Sequence, residues 1–366
     1  MELQTITQNR NIPAEENISS FAGNLPTFLN KSQFEPMALE AEIITPLLAA
    51  GISEVLTNDI KTSQFIEANT ESTTLLQLQK DCSTAIFAKD NELTIPHQDF
   101  INATKDCILE VFGNESILEP DIRVSHIIKG RIPEALRKSV QELLPHEKTM
   151  YWERLAFCIE IPSITKVIDG NRLTLCVGGV RALNHQNLYS KKSAERFKLF
   201  IGFRNLVCLN TCISTDGFLR DVKVMSIDEL KNHIMQLITS YNIENHFIQM
   251  QSLENQFLTE NQFCQILGKG RLYQHLPKNL KANIPELQFN DGQFNAMAKA
   301  YFEDENFSKD SNGNISLWKI FNLFTGANKS SYIDSFLDKS LNAFEFTQGI
   351  QKALSGNFTS YTWFLN

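Results

Sequence analysis

Residues 172–224 gather the side chains best suited to bind a polyanion. Nine cations (Arg172, Arg181, Lys191, Lys192, Arg196, Lys198, Arg204, Arg220 and Lys223) face three acids (Glu195, Asp216 and Asp221) in a chain of formal net charge −8. Lys191, Lys192, Arg196, Lys198 and Arg204 are interleaved with Tyr189, Phe200 and Phe203. Cations tracking a phosphate backbone, with rings on which bases stack, are what a nucleic-acid groove needs. A second basic run, residues 265–281, holds Lys269, Arg271, Lys278 and Lys281 without an acid. The expected phosphate contacts are Lys191, Lys192, Arg196, Lys198, Arg204, Lys269 and Arg271. The competing account makes them solvated strand edges and loops, where lysine also blocks edge pairing. The overall acidity favours that account, because it opposes long-range attraction of phosphate.

Other chemistries find weaker material. Gly268-Lys269-Gly270-Arg271 lacks the spacer and the Lys-Ser/Thr pair of a phosphate loop, and reads instead as a helix stop. Residues 308–319 place Asp310, Asn312 and Gly313 like part of a calcium loop, but Ser308 and Lys319 stand where ligating acids belong. An Asn-Gly turn that caps the next helix explains them better. Cys208 and Cys212 have no second Cys/His pair nearby, so no zinc site is expected and buried thiols are. Among the carboxylates, Asp169 and Asp216 precede glycines and read as turn formers, while Glu153 and Glu160 fall on opposite faces of one strand. No catalytic residue, metal site or cofactor is expected.

These side chains need a sheet to hold them. Phe197, Leu199, Ile201 and Phe203 alternate with Lys198, Phe200, Gly202 and Arg204, the period of a strand with one buried face. Residues 206–214 are almost all apolar or small, as in a strand covered on both sides. Asp169-Gly170 between two apolar runs predicts a hairpin. Gly178-Gly179 should end or bulge the strand that follows. Leu155, Phe157, Ile159 and Ile161 make another strand, stopped by Pro162, and Ile122, Val124 and Ile128 a further one that ends at Lys129-Gly130. Residues 84–88 read as a short strand.

A helix capped by Thr94 and Pro96 carries Phe100, Ile101, Ala103, Cys107, Ile108, Val111 and Phe112 on one face. Pro133 opens a second, with Ala135, Leu136, Val140, Leu143 and Leu144 inward. From Ser226 onward the pattern is helical. Ser226 with Glu229, and Thr259 with Gln262, are capping boxes; further helices are expected at 291–302, 316–324, 331–339 and 342–354. Tyr361, Trp363, Phe364 and Leu365 should dock on the body or on a second subunit.

The fold class is therefore α+β, a β-rich central antiparallel sheet region followed by a mostly helical C-terminal half. The organisation reads as residues 1–80 acidic, with ten acids against four bases and a flexible tail over the first 35; 81–225 the sheet region; and 226–366 helices packing on it. With 42% hydrophobic and 10% aromatic residues the chain can bury a sizeable core. No signal peptide and no run of roughly 18 apolar residues is present, so no membrane partner and a cytoplasmic location are expected. Seven cysteines, an odd number placed mostly in apolar runs, agree with reduced, buried thiols.

Four segments carry a resemblance: SHIIKGRIPEAL (125–136), ERLAFCIEIPSI (153–164), LCVGGVRALNHQNLY (175–189) and FIGFRNLVCLNTCIS (200–214). Together they resemble a family of uncharacterised proteins from gut Bacteroidetes and their mobile elements. FRNLVCLN, with SLWKIFNLFTGA (316–327), is also similar to a broader phage/plasmid-like uncharacterised family. The resemblance runs from about residue 125 to the C-terminus and implies a mobile-element context, hence a nucleic-acid partner, without supplying catalytic residues. The first expectation is a non-catalytic nucleic-acid binder, of single-stranded DNA for instance. The alternatives are a protein-binding or anti-defence module, whose acidic surface mimics or blocks something basic, and an enzyme with an unrecognised site; the expected partners also include a homo-oligomer or another protein.

Overall fold

The computed structural model describes residues 64–81, 95–113, 115–135, 137–186, 194–356 and 360–366, all within one compact unit, Thr62–Asn366. The expected N-terminal tail, the strand at 84–88, the Thr94 cap, Leu136, Tyr189, Lys191 and Lys192 lie outside the described residues.

A curled, seven-stranded antiparallel sheet forms the centre, and helices dominate the C-terminal half, as the α+β reading requires. Its strands are β1 (Glu71–Thr73), β2 (Asp121–Arg131), β3 (Lys148–Ile168), β4 (Asn171–Ala182), β5 (Glu195–Asn205), β6 (Thr211–Cys212) and β7 (Phe218–Val224). They are ordered β1-β2-β3-β4-β5-β6, with β7 also paired to β5. The β3–β4 hairpin turns at Asp169 (φ 47°) and Gly170 (φ 71°). Two consecutive positive φ values are what the Asp-Gly pair supplies to a tight hairpin.

Helices cover both faces. On one, α1 (Leu75–Asp81), α2 (His97–Phe112) and α3 (Ile227–Ser240) share a core with Phe157, Ile159, Leu175, Val177, Phe197, Ile201 and Phe203, to which α1 adds Leu78. Phe100 on α2 meets Phe157 and Phe197 edge to face at 4.9 and 4.8 Å. On the other face, Ala156, Cys158, Cys176, Val180, Phe200 and Phe218 pack with Ile333, Phe336, Leu337 and Leu341. The expectation of one buried face on β5 is thus corrected: from Leu199 to Asn205 every residue is buried.

Four local expectations also change. β3 does not stop at Pro162; its ladder with β4 shifts register between Ile161 and Thr165, so the proline sits in an irregularity that needs no N–H from it. β4 runs through Gly178-Gly179 to Ala182. Glycine is required there, since a Cβ on Gly178 would lie 2.0 Å from the Phe157 carbonyl oxygen and one on Gly179 2.4 Å from the Phe100 ring. Residues 206–214 give only the two-residue β6, because Asn205 folds the chain back: its side-chain oxygen accepts from Val207 N at 3.0 Å and Leu209 has φ 58°. The helix expected from Pro133 is three 3-10 turns instead. Glu142 and Glu147 each accept a backbone N–H three residues back, and Pro145 forces Leu144 into extended backbone.

The helical half comprises α3, α4 (Ile243–Ser252), α5 (Glu260–His275), α6 (Lys278–Lys281), α7 (Asp291–Glu303), α8 (Leu317–Asn328) and α9 (Ile333–Leu354). The capping box of α5 forms as expected; at α3 Ser226 accepts from Glu229 N, but Glu229 accepts from Met225 N at 2.7 Å, so the box expected there does not close on Ser226. α5, however, continues through Gly268-Lys269-Gly270-Arg271 to His275 rather than stopping, and α9 is one helix where two were expected. A short β8–β9 pair (Phe257–Leu258 with Ile315–Ser316) leads into α8. The aromatic C-terminus does dock: Phe364 is buried against Phe346 at 4.8 Å, and Tyr361 covers Gly349.

Candidate anion-binding groove

The end of the sheet where β4, β5 and β7 meet opens into a groove of about 230 Å³, lined by Val180, Ala182, Arg196, Phe197, Lys198, Arg220 and Asp221. Strand register explains the lining. Phe197 pairs with Val222 and Leu199 with Leu219, so Lys198 alone opposes both Arg220 and Asp221. Such a bulge bends its strand and re-aims side chains. Here it turns two β7 charges toward the β5 cations.

α9 closes one flank with two acids. The Lys198 ammonium bonds the Asp338 carboxylate and, at 2.5 Å, the Asp334 carbonyl oxygen. Arg220 Nε reaches the other Asp338 oxygen at 2.7 Å. Arg154 on β3, whose ladder partner is Ala182, lies 3.9 Å from the Asp334 carboxylate. On the opposite flank Asp221 sits 4.0 Å from Arg196 and 3.0 Å from Lys223. Arg154 Nε also lies 3.5 Å from the Glu153 carboxylate, so among the described residues five cations share four carboxylates. The side chains of Arg196 and Arg220 are 51% and 58% exposed, and the exposed Tyr332 ring lies 6.0 Å from the Arg154 guanidinium.

Of the seven expected phosphate contacts, Arg196 and Lys198 come together at this groove. Arg204 does not: it is buried beneath α9's side of the sheet, bonded to Glu160 at 2.8 Å and Asp121 at 2.7 Å, with the Phe65 ring over it. A guanidinium enclosed by two carboxylates and a ring is committed to the core, so Arg204 offers no phosphate contact from this position. Phe200 and Phe203, expected as stacking rings, are likewise buried. Lys269 and Arg271 stand on α5, which does not line the groove. Lys269 holds the Trp363 carbonyl oxygen at 2.7 Å, and Arg271 pairs with Asp291 at 3.2 Å. Arg220 belongs to the basic stretch, but no local pattern sets it apart from its neighbours. Tyr332, Asp334 and Asp338 carry no local signal, because α9 reaches the sheet only through the tertiary fold.

Other candidate chemistry is absorbed by structure. Among the described residues no group of three His, Cys, Asp or Glu could hold a metal. In the calcium-like loop, Asp310 accepts from the backbone N–H of Asn312 and Asn314, and Lys319 reaches back to the Ser308 carbonyl. Burial pushes the half-buried Cys208 thiol up to about 11, unlike an activated nucleophile. Cys158, Cys176 and Cys212 are buried as expected; Cys264 is exposed. His97 and His246 are wholly buried, and burial drives both down to about 3. Each keeps a fixed partner: His97 Nε2 the Trp152 carbonyl at 2.8 Å, His246 Nδ1 the Tyr241 hydroxyl at 2.5 Å.

The two strings FRNLVCLN and SLWKIFNLFTGA meet in space. Asn205 donates to the Asn322 side-chain oxygen at 3.2 Å, Asn210 to the Asn322 carbonyl at 3.1 Å, and Lys329 to the Cys208 carbonyl. They form a buried polar seam between the β5–β6 loop and α8. The chain belongs to the family described as "Domain of unknown function, B. Theta Gene description (DUF3871)", whose model matches residues 48–365. That match begins well before the first resembling segment. No curated protein and no solved structure matches the chain.

Proposed function

We propose, for this member of a family described without a function, that it binds nucleic acid and does no chemistry on it. The observation that carries this reading is the groove of about 230 Å³ whose walls bring together Arg196, Lys198 and Arg220 from adjacent strands, two of them more than half exposed. A phosphate entering there meets guanidinium forks, which match its geometry better than lysine points do. The likeness of the motif strings to proteins of mobile elements supports use of this binding on such an element. Among the described residues no helix is long and apolar enough to cross a membrane. The free, mostly buried cysteines support a cytoplasmic setting.

The test is fluorescence anisotropy of labelled oligonucleotides with the full chain and with Arg196→Ala/Arg220→Ala, at low and moderate salt. Binding that weakens with salt and with the double substitution supports the reading, because phosphate contacts release counterions. Absence of binding at low salt overturns it.

A further inference from the structure

Tyr332 sits at the N-terminal cap of α9 and is 52% exposed, in a molecule whose aromatic residues are mostly buried. The Arg154 guanidinium lies over its ring at 6.0 Å. From Arg154 the contacts run unbroken into the groove: 3.9 Å to the Asp334 carboxylate, and from the Asp334 carbonyl 2.5 Å to Lys198, which lines the wall. Ala182, the ladder partner of Arg154, lines the same wall. A cation-backed ring therefore stands beside a short cationic groove.

We infer that Tyr332 is a base-stacking platform and that the groove's occupant is a single-stranded nucleic acid. This rests on the nucleic-acid reading of the groove. Inside a duplex each base is stacked on both faces and paired at its edge, so only the two end pairs offer a face to a protein ring. An unpaired strand can lay its phosphates along Arg196, Lys198 and Arg220 and turn one base onto Tyr332. Stacking of this kind tolerates any base, since each has a π-face. Arg154 contributes by holding the ring from below, as guanidinium groups do on aromatic faces.

The experiment compares three labelled probes with the full chain: a single-stranded oligonucleotide, an abasic strand with the same sugar-phosphate backbone, and a blunt duplex. The expected result is a preference of about tenfold for the base-bearing single strand over the other two, the size of one base–ring stack. Tyr332→Ala should erase its advantage over the abasic strand, and Tyr332→Phe should keep it. Arg196→Ala/Arg220→Ala should weaken all three probes. A Tyr332→Ala protein that still prefers the base-bearing strand overturns this inference and leaves the groove standing, as does equal affinity for the duplex. A protein that binds none of the probes in a salt-sensitive way overturns both.

Discussion

The Asp338 carboxylate on α9 holds Arg220 on β7, Oδ1 to Nε, at 2.7 Å. Its second oxygen takes Lys198, so one acid from the far end of the chain is shared by two of the three cations that line the groove among the described residues. An entering phosphate must compete with a carboxylate already in place. Asp338→Asn should therefore raise affinity for an oligonucleotide several-fold at low salt, while Asp338→Glu should stay near the parent. Anisotropy titrations of the three proteins check this. Unchanged affinity in Asp338→Asn would mean that phosphate does not visit Arg220.

Asn322 is the hub of the seam between the two motif strings, accepting from Asn205 and Asn210 and donating to the Trp318 carbonyl at 2.9 Å. Replacement by leucine strands a buried Asn205 donor and removes the bond to Trp318. An unsatisfied buried group costs about 1–3 kcal/mol, so Asn322→Leu should lower unfolding stability by about that amount or more in urea titrations. Groove binding by the fraction that stays folded should be unaffected, because Asn322 is not among the lining residues.

The two buried histidines set an acid limit on stability. Burial is the main cause for both; the Arg181 charge adds to it for His97, while the Asp216 charge opposes it for His246. Folded values of about 3 lie below the unfolded value near 6.5, so between them the unfolded chain binds more protons. Their contribution is complete above about pH 6.5, falls as pH drops toward 3, and is flat below that. Each histidine should give ~1.4 kcal/mol per pH unit in the middle of that window. Stability measured by urea from pH 7 to 4 should lose this steepness by one histidine's share in His246→Gln, which keeps an acceptor for Tyr241.

Gly268 and Gly270 separate helix propensity from packing. Both lie inside α5, yet a Cβ on Gly268 meets nothing within 4 Å, whereas one on Gly270 would fall 2.4 Å from the Phe294 ring. Gly268→Ala should stabilise by ~0.5–1 kcal/mol. Gly270→Ala should destabilise by about 1–3 kcal/mol through overpacking. Thermal melting of the two single variants shows the opposite signs directly.

That pair also shows how far local sequence reaches. Two glycines around a lysine look like a helix stop, and nothing nearby in the chain says that Phe294 makes Gly270 a packing site inside a continuing helix. Where local chemistry decides, the structure is legible in the sequence: the Asp169-Gly170 hairpin, the Thr259/Gln262 capping box and the position of β5, though not its burial on both faces, follow from neighbouring residues. Pro162 misleads because a bulge can remove the need for its N–H. The apolar run at 206–214 misleads because Asn205 bonds the loop locally and competes with the ladder. Of the groove, the β5 half is visible as Arg196 and Lys198. The β7 wall needs the register, and the α9 flank needs the fold.

The most direct test of the central claim is the salt dependence of single-strand binding by the parent chain and by Arg196→Ala/Arg220→Ala. Plotted as log affinity against log salt, the parent should fall steeply, and the double variant should be both weaker and shallower by about 1.4 in slope, ~0.7 for each phosphate no longer neutralised. Parent and variant lines that coincide would contradict the account, because the groove would then hold no phosphate.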